Sequence, residues 1–443
     1  LLFLVKSLII QDKMFGIGNK KISTESYKGV RDFYPQDQAV QNHIFKIMRE
    51  VSESWGYEEY GASILEPLEL YKLKSSEEII KEQIYYFTDR GNREVALRPE
   101  MTPTVTRMIA AKIQELPLPI RWYSIPNLFR YEKPQRGRLR EHWQLNVDLF
   151  GVPSILAELE VISIAFDIMK KFGADEKDFE IRINNRLLLD DVFKKIKINE
   201  DKKQFVYRLI DKKEKFSDDD FRHSLVVLIG KESAEKLLEN LYLGEGLLVT
   251  LKESEAAKNL NEVVNILRDR GVSNVVFTPT LTRGFDYYTG TVFEVFDTNK
   301  ENPRSLFGGG RYDDLIGSFT SQNVSAFGFG MGDVTMRDFL ETHKLLPEIN
   351  STASLCICVV SNTDMEEIYK IAKIFRESGI SVAVDISGKK LPDQLKSLSK
   401  RKIPFVMTIG EEEIKNQTFT VRNTKTREEK NGNLEEVIKL CVR

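Results

Sequence analysis

Phe129-Arg130-Tyr131-Glu132-Lys133-Pro134-Gln135-Arg136-Gly137-Arg138, continuing through Glu141-His142-Trp143-Gln144 to Asp148, decides the fold. Apolar runs flank a basic tip, Lys133 to Arg140, that contains Pro134 and Gly137. Those two residues break a helix and suit a turn, so 120–150 reads as strands around a hairpin tip. From Arg121 to Arg140 the cations Arg121, Arg130, Lys133, Arg136, Arg138 and Arg140 face Glu132 alone, a net +5. A solvated hairpin tip would carry such charge, and so would a loop that grips polyphosphate or a nucleic-acid end. The neighbours favour the second reading. Leu97-Arg98-Pro99-Glu100 precedes the loop, and Gln144 and Asp148 follow it four residues apart. On a strand that spacing puts both on one face.

Working outward, Val40, Ile44, Ile47, Met48, Val51 and Trp55 recur at a helical period and predict a helix over 37–55. Residues 84–98 read as two strands around Asp89-Arg90-Gly91-Asn92. Residues 154–172 read as a helix, and 291–297 and 324–331 as strands with a Gly-rich turn, Gly308–Gly310, between them. Hairpin connections outnumber βαβ crossovers, which predicts an α+β domain on an antiparallel sheet. Residues 195–270, rich in Lys, Glu and Leu, predict a helical insertion. After a polar linker containing Pro347, strands at 355–360, 382–386 and 404–409 alternate with two helices, a small α/β domain. In its second helix Leu391, Leu395 and Leu398 are expected to be buried. Residues 387–402 carry a net +5, leaving Lys390, Lys396, Lys400, Arg401 and Lys402 for phosphates, or merely for solvent.

The chain has 443 residues, 41% hydrophobic and 30% charged, enough for several domains with their own cores. A net charge of −2 excludes a globally basic nucleic-acid coat. Three cysteines cannot make a disulfide framework and suit a reducing compartment. Cys356-x-Cys358 lacks zinc-ligand spacing and is expected to be buried in a strand. The apolar run Leu1–Ile10 is too short for a membrane span. It reads as an upstream extension before Met14, with a cleaved signal as the alternative.

The loop from Phe129 to Gln144 resembles the second signature motif of class II aminoacyl-tRNA synthetases. Leu281-Thr282-Arg283-Gly284-Phe285-Asp286-Tyr287-Tyr288-Thr289-Gly290 resembles the signature peptide of histidyl-tRNA synthetases. Gly308-Gly309-Gly310-Arg311-Tyr312-Asp313 and Lys28-Gly29-Val30-Arg31-Asp32-Phe33-Tyr34-Pro35 are similar to two further elements of that family. The resemblance implies a class II-like catalytic domain (27–194 and 271–340) behind an extension (1–26). It also implies a helical insertion (195–270) that clamps the acceptor arm, a linker (341–353) and an anticodon-binding domain (354–443). The implied activity is ATP-dependent ligation of L-histidine to tRNA(His) by a cytoplasmic homodimer with no membrane partner, built through the 40–55 helix and the strand after it. ATP would arrive with Mg²⁺, and no resident metal is expected.

By the same resemblance Arg130 and Arg283 are catalytic and face the α-phosphate. Glu132 and Arg138 complete the ATP-binding set. Asp148 and Tyr288 read the imidazole, with Tyr287 and Tyr312 lining the pocket. Glu100, Thr102 and Gln144 hold the α-amino group. Two positions depart from the pattern. Asp148 stands where many members have Glu. Thr335, in Gly328-Phe329-Gly330-Met331-Gly332-Asp333-Val334-Thr335, stands where members commonly carry an arginine that packs on the nucleotide. That glycine run lacks the spacing of a dinucleotide-binding fingerprint. The competing readings are a catalytically silent, histidine-sensing relative of the phosphoribosyltransferase regulatory type, which lacks the carboxyl domain, and a plain RNA-binding protein.

Overall fold

The computed structural model describes residues 23–72, 79–213, 216–282, 287–360 and 363–441. They form two compact units that divide between Leu346 and Pro347.

The first unit opens with α1 (Pro35–Ser54), where Pro35 sits at the first helical turn and Val40, Ile44, Ile47, Met48 and Val51 are buried, as the period predicts. Strands β1 (Glu58–Glu59) and β2 (Leu65–Pro67), helix α2 (Leu68–Lys72) and the hairpin β3 (Tyr85–Thr88) and β4 (Glu94–Leu97) come after it. The hairpin turn is chemical in origin. Asp89 Oδ1 accepts from the amides of Gly91 and Arg93 at 2.8 and 2.9 Å, and Asn92 takes φ 59°.

Next come α3 (Thr102–Lys112), β5 (Ile120–Ser124), β6 (Asn127–Phe129), β7 (Glu141–Phe150), α4 (Leu156–Lys171) and β8 (Phe179–Asn185). Helices α5 (Arg186–Lys195), α6 (Glu200–Asp211), α7 (Asp218–Ile229), α8 (Lys231–Tyr242), α9 (Gly246–Thr250) and α10 (Glu255–Asp269) intervene before β9 (Val275–Phe277). The last of these, α10, buries Leu260, Val263, Val264 and Leu267 and packs on α4, β8 and β9. Strands β10 (Thr291–Asp297), β11 (Ser305–Arg311), β12 (Ala326–Gly332) and helix α11 (Asp333–Thr342) close the unit.

The main sheet runs β1-β5-β7-β12-β11-β10-β8-β9, with β6 also on β7. Pairing is antiparallel from β5 to β8 and parallel at the two ends. The expected antiparallel α+β class is the observed one. The Gly-rich stretch differs from expectation. Gly308–Gly310 form no turn but the middle of β11, between β10 and β12. Crowding explains them: a Cβ would lie 2.3 Å from Phe293 O at Gly308 and 1.9 Å from Gly328 O at Gly309.

The second unit contains β13 (Leu355–Val359), α12 (Met365–Glu377), β14 (Val382–Val384), α13 (Leu391–Arg401), β15 (Phe405–Ile409), α14 (Glu411–Asn416), β16 (Phe419–Asn423), β17 (Glu429–Gly432) and α15 (Leu434–Cys441). Its sheet order is β14-β13-β15-β16-β17. Cys356 and Cys358 are fully buried in β13 beside Leu398, Ile403 and Val406, as expected for small apolar residues. One expected face is wrong. Leu395 remains 36% exposed, and Gln394, 2% exposed, takes the inward position. Its amide accepts from Val359 N at 3.0 Å and donates to Val359 O at 2.9 Å, so a polar side chain splices α13 to β13. Hydrophobic period alone cannot anticipate an inward amide that satisfies strand backbone.

Candidate active site

Strand β7 is the spine of the site. Its register partners on β12 are Gly332, Gly330 and Gly328 for Gln144, Asn146 and Asp148 respectively. A Cβ at Gly328 would fall 2.3 Å from Asp148 Oδ1, and one at Gly330 would fall 2.7 Å from Gln144 Cδ. Glycines on β12 therefore make the floor over which the β7 side chains lie.

A small pocket of ≈ 90 Å³ forms above that floor. Glu100, Thr102, Arg130, Gln144, Asp148, Tyr287, Tyr288 and Tyr312 all line it. Asn146 lines it too and was missed from sequence, although the alternation that selects Gln144 and Asp148 includes it. Tyr287 Oη donates to Glu100 Oε2 at 3.1 Å. Tyr312 donates a close hydrogen bond to Asp148 Oδ1, while Asp148 Oδ2 is buried with no partner among the described residues. Burial pushes the Asp148 carboxyl up to about 7, against the downward pull of the Tyr312 bond. The Tyr312 hydroxyl is raised in turn, first by burial and then by Asp148. Tyr287 packs on Tyr288 and Tyr312 with ring centroids 5.0 and 6.0 Å apart.

A wider cleft of ≈ 450 Å³ adjoins the pocket and shares Arg130, Gln144 and Gly330 with it. Glu132 and Arg138 line this cleft, with His142 and the start of β11. Arg130 Nε donates to Pro99 O at 2.8 Å, which fixes the guanidinium plane. Burial, Arg130 and Arg31 together hold the His142 imidazole down to about 3, so it is neutral. Two other basic residues of this segment have structural work. Arg121 grips Glu160 with two bonds, at 2.7 and 2.9 Å. Arg140 lies 3.8 Å from the Tyr131 ring centroid and takes the Gly29 carbonyl on its amide at 2.7 Å. A Cβ at Gly29, where φ is +89°, would sit 2.7 Å from Arg140 Cγ, which ties the opening peptide to the loop. Arg283 and Asp286 lie outside the described residues.

Asp333 is a further residue that sequence reading passed over. It is 1% exposed and accepts from Arg31 Nη2 at 2.7 Å, Gln41 Nε2 at 2.8 Å and the Trp143 amide at 2.8 Å. It thereby binds the opening peptide and α1 to the strand that carries Gln144. Thr335 donates to Leu306 O at 2.6 Å and lines the cleft. Arg337 points its charge elsewhere, to Asp37 at 2.8 Å and Glu341 at 3.1 Å. Tyr288 also borders a groove of ≈ 840 Å³ beside α5 and α6, lined by Arg186, Lys194, Lys203, Asp190, Asp191 and Glu200 among others.

Similarity to known proteins agrees with this geometry. A family model described as histidyl-tRNA synthetase matches residues 29–333, and one for an anticodon binding domain matches 354–443. The histidine–tRNA ligase of Leptospira biflexa is 44% identical over 92% of this chain and 95% of its own length. That of Thermoplasma volcanium is 36% identical over 91% and 95%. A crystal structure of histidyl-tRNA synthetase from a Nostoc species has the same fold, with a TM-score of 0.82 at 24% identity, covering 95% of this chain and 100% of that one. The carboxyl domain that a histidine-sensing relative would lack is present. The chain belongs to the histidyl-tRNA synthetase family.

Proposed function

We propose that the small pocket holds L-histidine, that the adjoining cleft holds ATP, and that the chain joins them as histidyl-adenylate before ligation to tRNA(His). ATP-dependent histidine–tRNA ligation is the activity of the family. The observation that carries the assignment of this site is the sharing of Arg130 and Gln144 by pocket and cleft. A carboxylate bound near Gln144 and an α-phosphate bound in the cleft would meet at Arg130.

The carboxylate is ionised at neutral pH, so attack on the α-phosphorus needs no general base. One carboxylate oxygen forms the new P–O bond as the bond to the β-phosphate breaks and pyrophosphate leaves. Catalysis then rests on alignment and on neutralising charge at the phosphorus. Arg130 supplies that charge, and we extend the role to Arg283. Glu100, Thr102 and Gln144 hold the α-amino group. Asp148 and Tyr288 take the two ring nitrogens, with Tyr287 and Tyr312 closing the pocket. Glu132 and Arg138 belong to the ATP side. Magnesium suits this cleft as an ion carried by the triphosphate. Glu132 Oε2 is a buried hard oxygen donor that makes no hydrogen bond among the described residues and is ion-paired with Arg138 Nη1 at 3.2 Å, and such ions need only one or two protein carboxylates. Held there beside Glu132, it would lower the negative charge on the phosphate oxygens.

Under this reading the chain divides into catalytic residues 27–194 and 271–340, insertion 195–270 as an acceptor-arm clamp, linker 341–353 and anticodon-binding residues 354–443. Lys390, Arg401 and Lys402 are exposed around α13, which suits phosphate contact. No helix among the described residues is long and apolar enough to cross a membrane, and a cytoplasmic setting is proposed. A homodimer is also proposed. The apolar side of α1 is used inside its own chain, so the contact is assigned to the segment after that helix, where Ile64 and Leu65 are exposed.

Histidine-dependent exchange between pyrophosphate and ATP tests the assignment directly. Tyr288→Phe is expected to raise the KM for histidine about 5- to 150-fold, the ~1–3 kcal/mol of an unpaired ring nitrogen, with the KM for ATP little changed. Equal losses for both substrates would make Tyr288 a packing residue. A chain ending at Leu346 should retain part of the exchange activity and lose most tRNA charging, with a weaker salt dependence of tRNA binding. Full charging by that truncated chain would refute the role given to 354–443.

A further inference from the structure

The cleft holds a cation that neither the family pattern nor the sequence reading assigns. Arg304 lies just before β11, is exposed, and lines the cleft together with Pro303, Leu306, Val334 and Thr335. Thr335 donates its hydroxyl to Leu306 O at 2.6 Å, so the start of α11 and the start of β11 are in direct contact. Arg304 is two residues from that contact. The loop crosses above it, and a Cβ at Gly137 would be 3.5 Å from Thr335 Cγ2.

The neighbouring cations are engaged. Arg136 donates to Asn302 and Thr342, each at 3.0 Å. Arg138 pairs with Glu132, and Arg337 with Asp37 and Glu341. Arg304 has one hydrogen bond, from Nη2 to the neutral Gln135 Oε1 at 3.2 Å, and no carboxylate among the described residues pairs with it. Its charge is therefore not cancelled. Pro303, Leu306 and Val334 give its part of the lining an apolar share, whereas Arg130, Arg138, Glu132 and Glu294 are the other charged residues of the cleft. The floor is glycine, Gly330 and Gly332, and the β7 side carries the neutral ring of His142. A planar guanidinium, a partly apolar lining and a neutral imidazole suit a flat heteroaromatic ring more than a phosphate.

We propose that Arg304 is the residue that stacks on the purine of ATP, from the strand side of the cleft that Thr335 lines at the helix start. The role rests on the reading of this cleft as the ATP site. On nucleotide entry the Gln135 contact is given up and the guanidinium plane turns onto the base.

The test separates base from phosphate. In the exchange reaction Arg304→Ala should raise the KM for ATP about tenfold. Turnover at saturating ATP should stay within twofold, because stacking serves ground state and transition state alike. The KM values for histidine and pyrophosphate should not move. Arg304→Lys, which keeps the charge and loses the plane, should resemble the alanine variant. An ATP KM within twofold of wild type for Arg304→Ala overturns the proposal. So does a parallel rise in the pyrophosphate KM, or full function in Arg304→Lys, either of which would mark a phosphate or simple charge contact. Calorimetric titration of ATP into wild type and Arg304→Ala gives the same comparison without turnover. If wild type exchanges nothing yet binds ATP tenfold more tightly than the variant, the ligase reading fails and the Arg304 assignment stands.

Discussion

Arg130→Ala is expected to lower histidine-dependent exchange at saturating substrates by about 10²–10³-fold, the ~3–4 kcal/mol typical of one lost donor to a transition state. The side chain is anchored by Nε to Pro99 O and stands where pocket and cleft join. Under the proposed assignment its charge is preorganised where the bond to phosphorus would form, and alanine removes it. Arg121→Ala is the control. Arg121 is an equally basic residue of the same segment, but its guanidinium is spent on Glu160. Its loss should lower thermal stability and leave exchange near wild type. Activity within tenfold of wild type in Arg130→Ala would remove the basis for the proposed mechanism, and Arg283→Ala is expected to match Arg130→Ala.

The contrast between Arg130 and Arg121 marks what a sequence makes legible here. Strand alternation put Gln144 and Asp148 on one face, and both line one pocket. The α1 period and the β3–β4 turn were legible because each is local, set by spacing or by Asp89 capping its own turn. Local charge did not tell which arginine is free for chemistry, because the partners are distant in sequence: Glu160 for Arg121, Tyr27 for Arg140, Asn302 for Arg136. The same limit hid Asp333, whose three partners come from three separate segments. Gly308–Gly310 misled for a related reason. A glycine needed for a turn and one needed beneath a crowded neighbouring strand look alike until the neighbours, Phe293 and Gly328, are known.

Asp148→Asn is expected to weaken histidine binding about 10- to 150-fold, the ~1.5–3 kcal/mol of a hydrogen bond to a charged group, and to change its pH dependence. The free carboxyl is held up to about 7 by burial, with Oδ2 unpartnered among the described residues. An imidazole titrates near ~6.5, so near neutrality pocket and ligand share about one proton between them. A buried carboxylate facing an imidazolium is stable with that one proton and poor with two or none. Wild-type affinity should therefore be highest at about pH 6.5–7. It should fall below that range, where a proton must be released, and above it, where one must be taken up. The asparagine variant cannot titrate, so its affinity should fall only on the acid side and stay flat above pH 7. Folding supplies an independent check of sign. In the unfolded chain Asp148 loses its proton near its ordinary value, ~3.9, while the folded apo protein keeps it to about 7. The folded state binds more protons across that window, so Asp148 favours folding below pH ~4 and that contribution is lost as pH rises through about 7. Asp148→Asn removes the slope, and at pH 8 the apo variant should be the more stable protein even though it binds histidine less well. Calorimetry in buffers of different ionisation enthalpy reads the proton uptake above pH 7. An unchanged pH profile in the variant would place the imidazole away from Asp148 and leave that carboxylate with no part in recognising histidine.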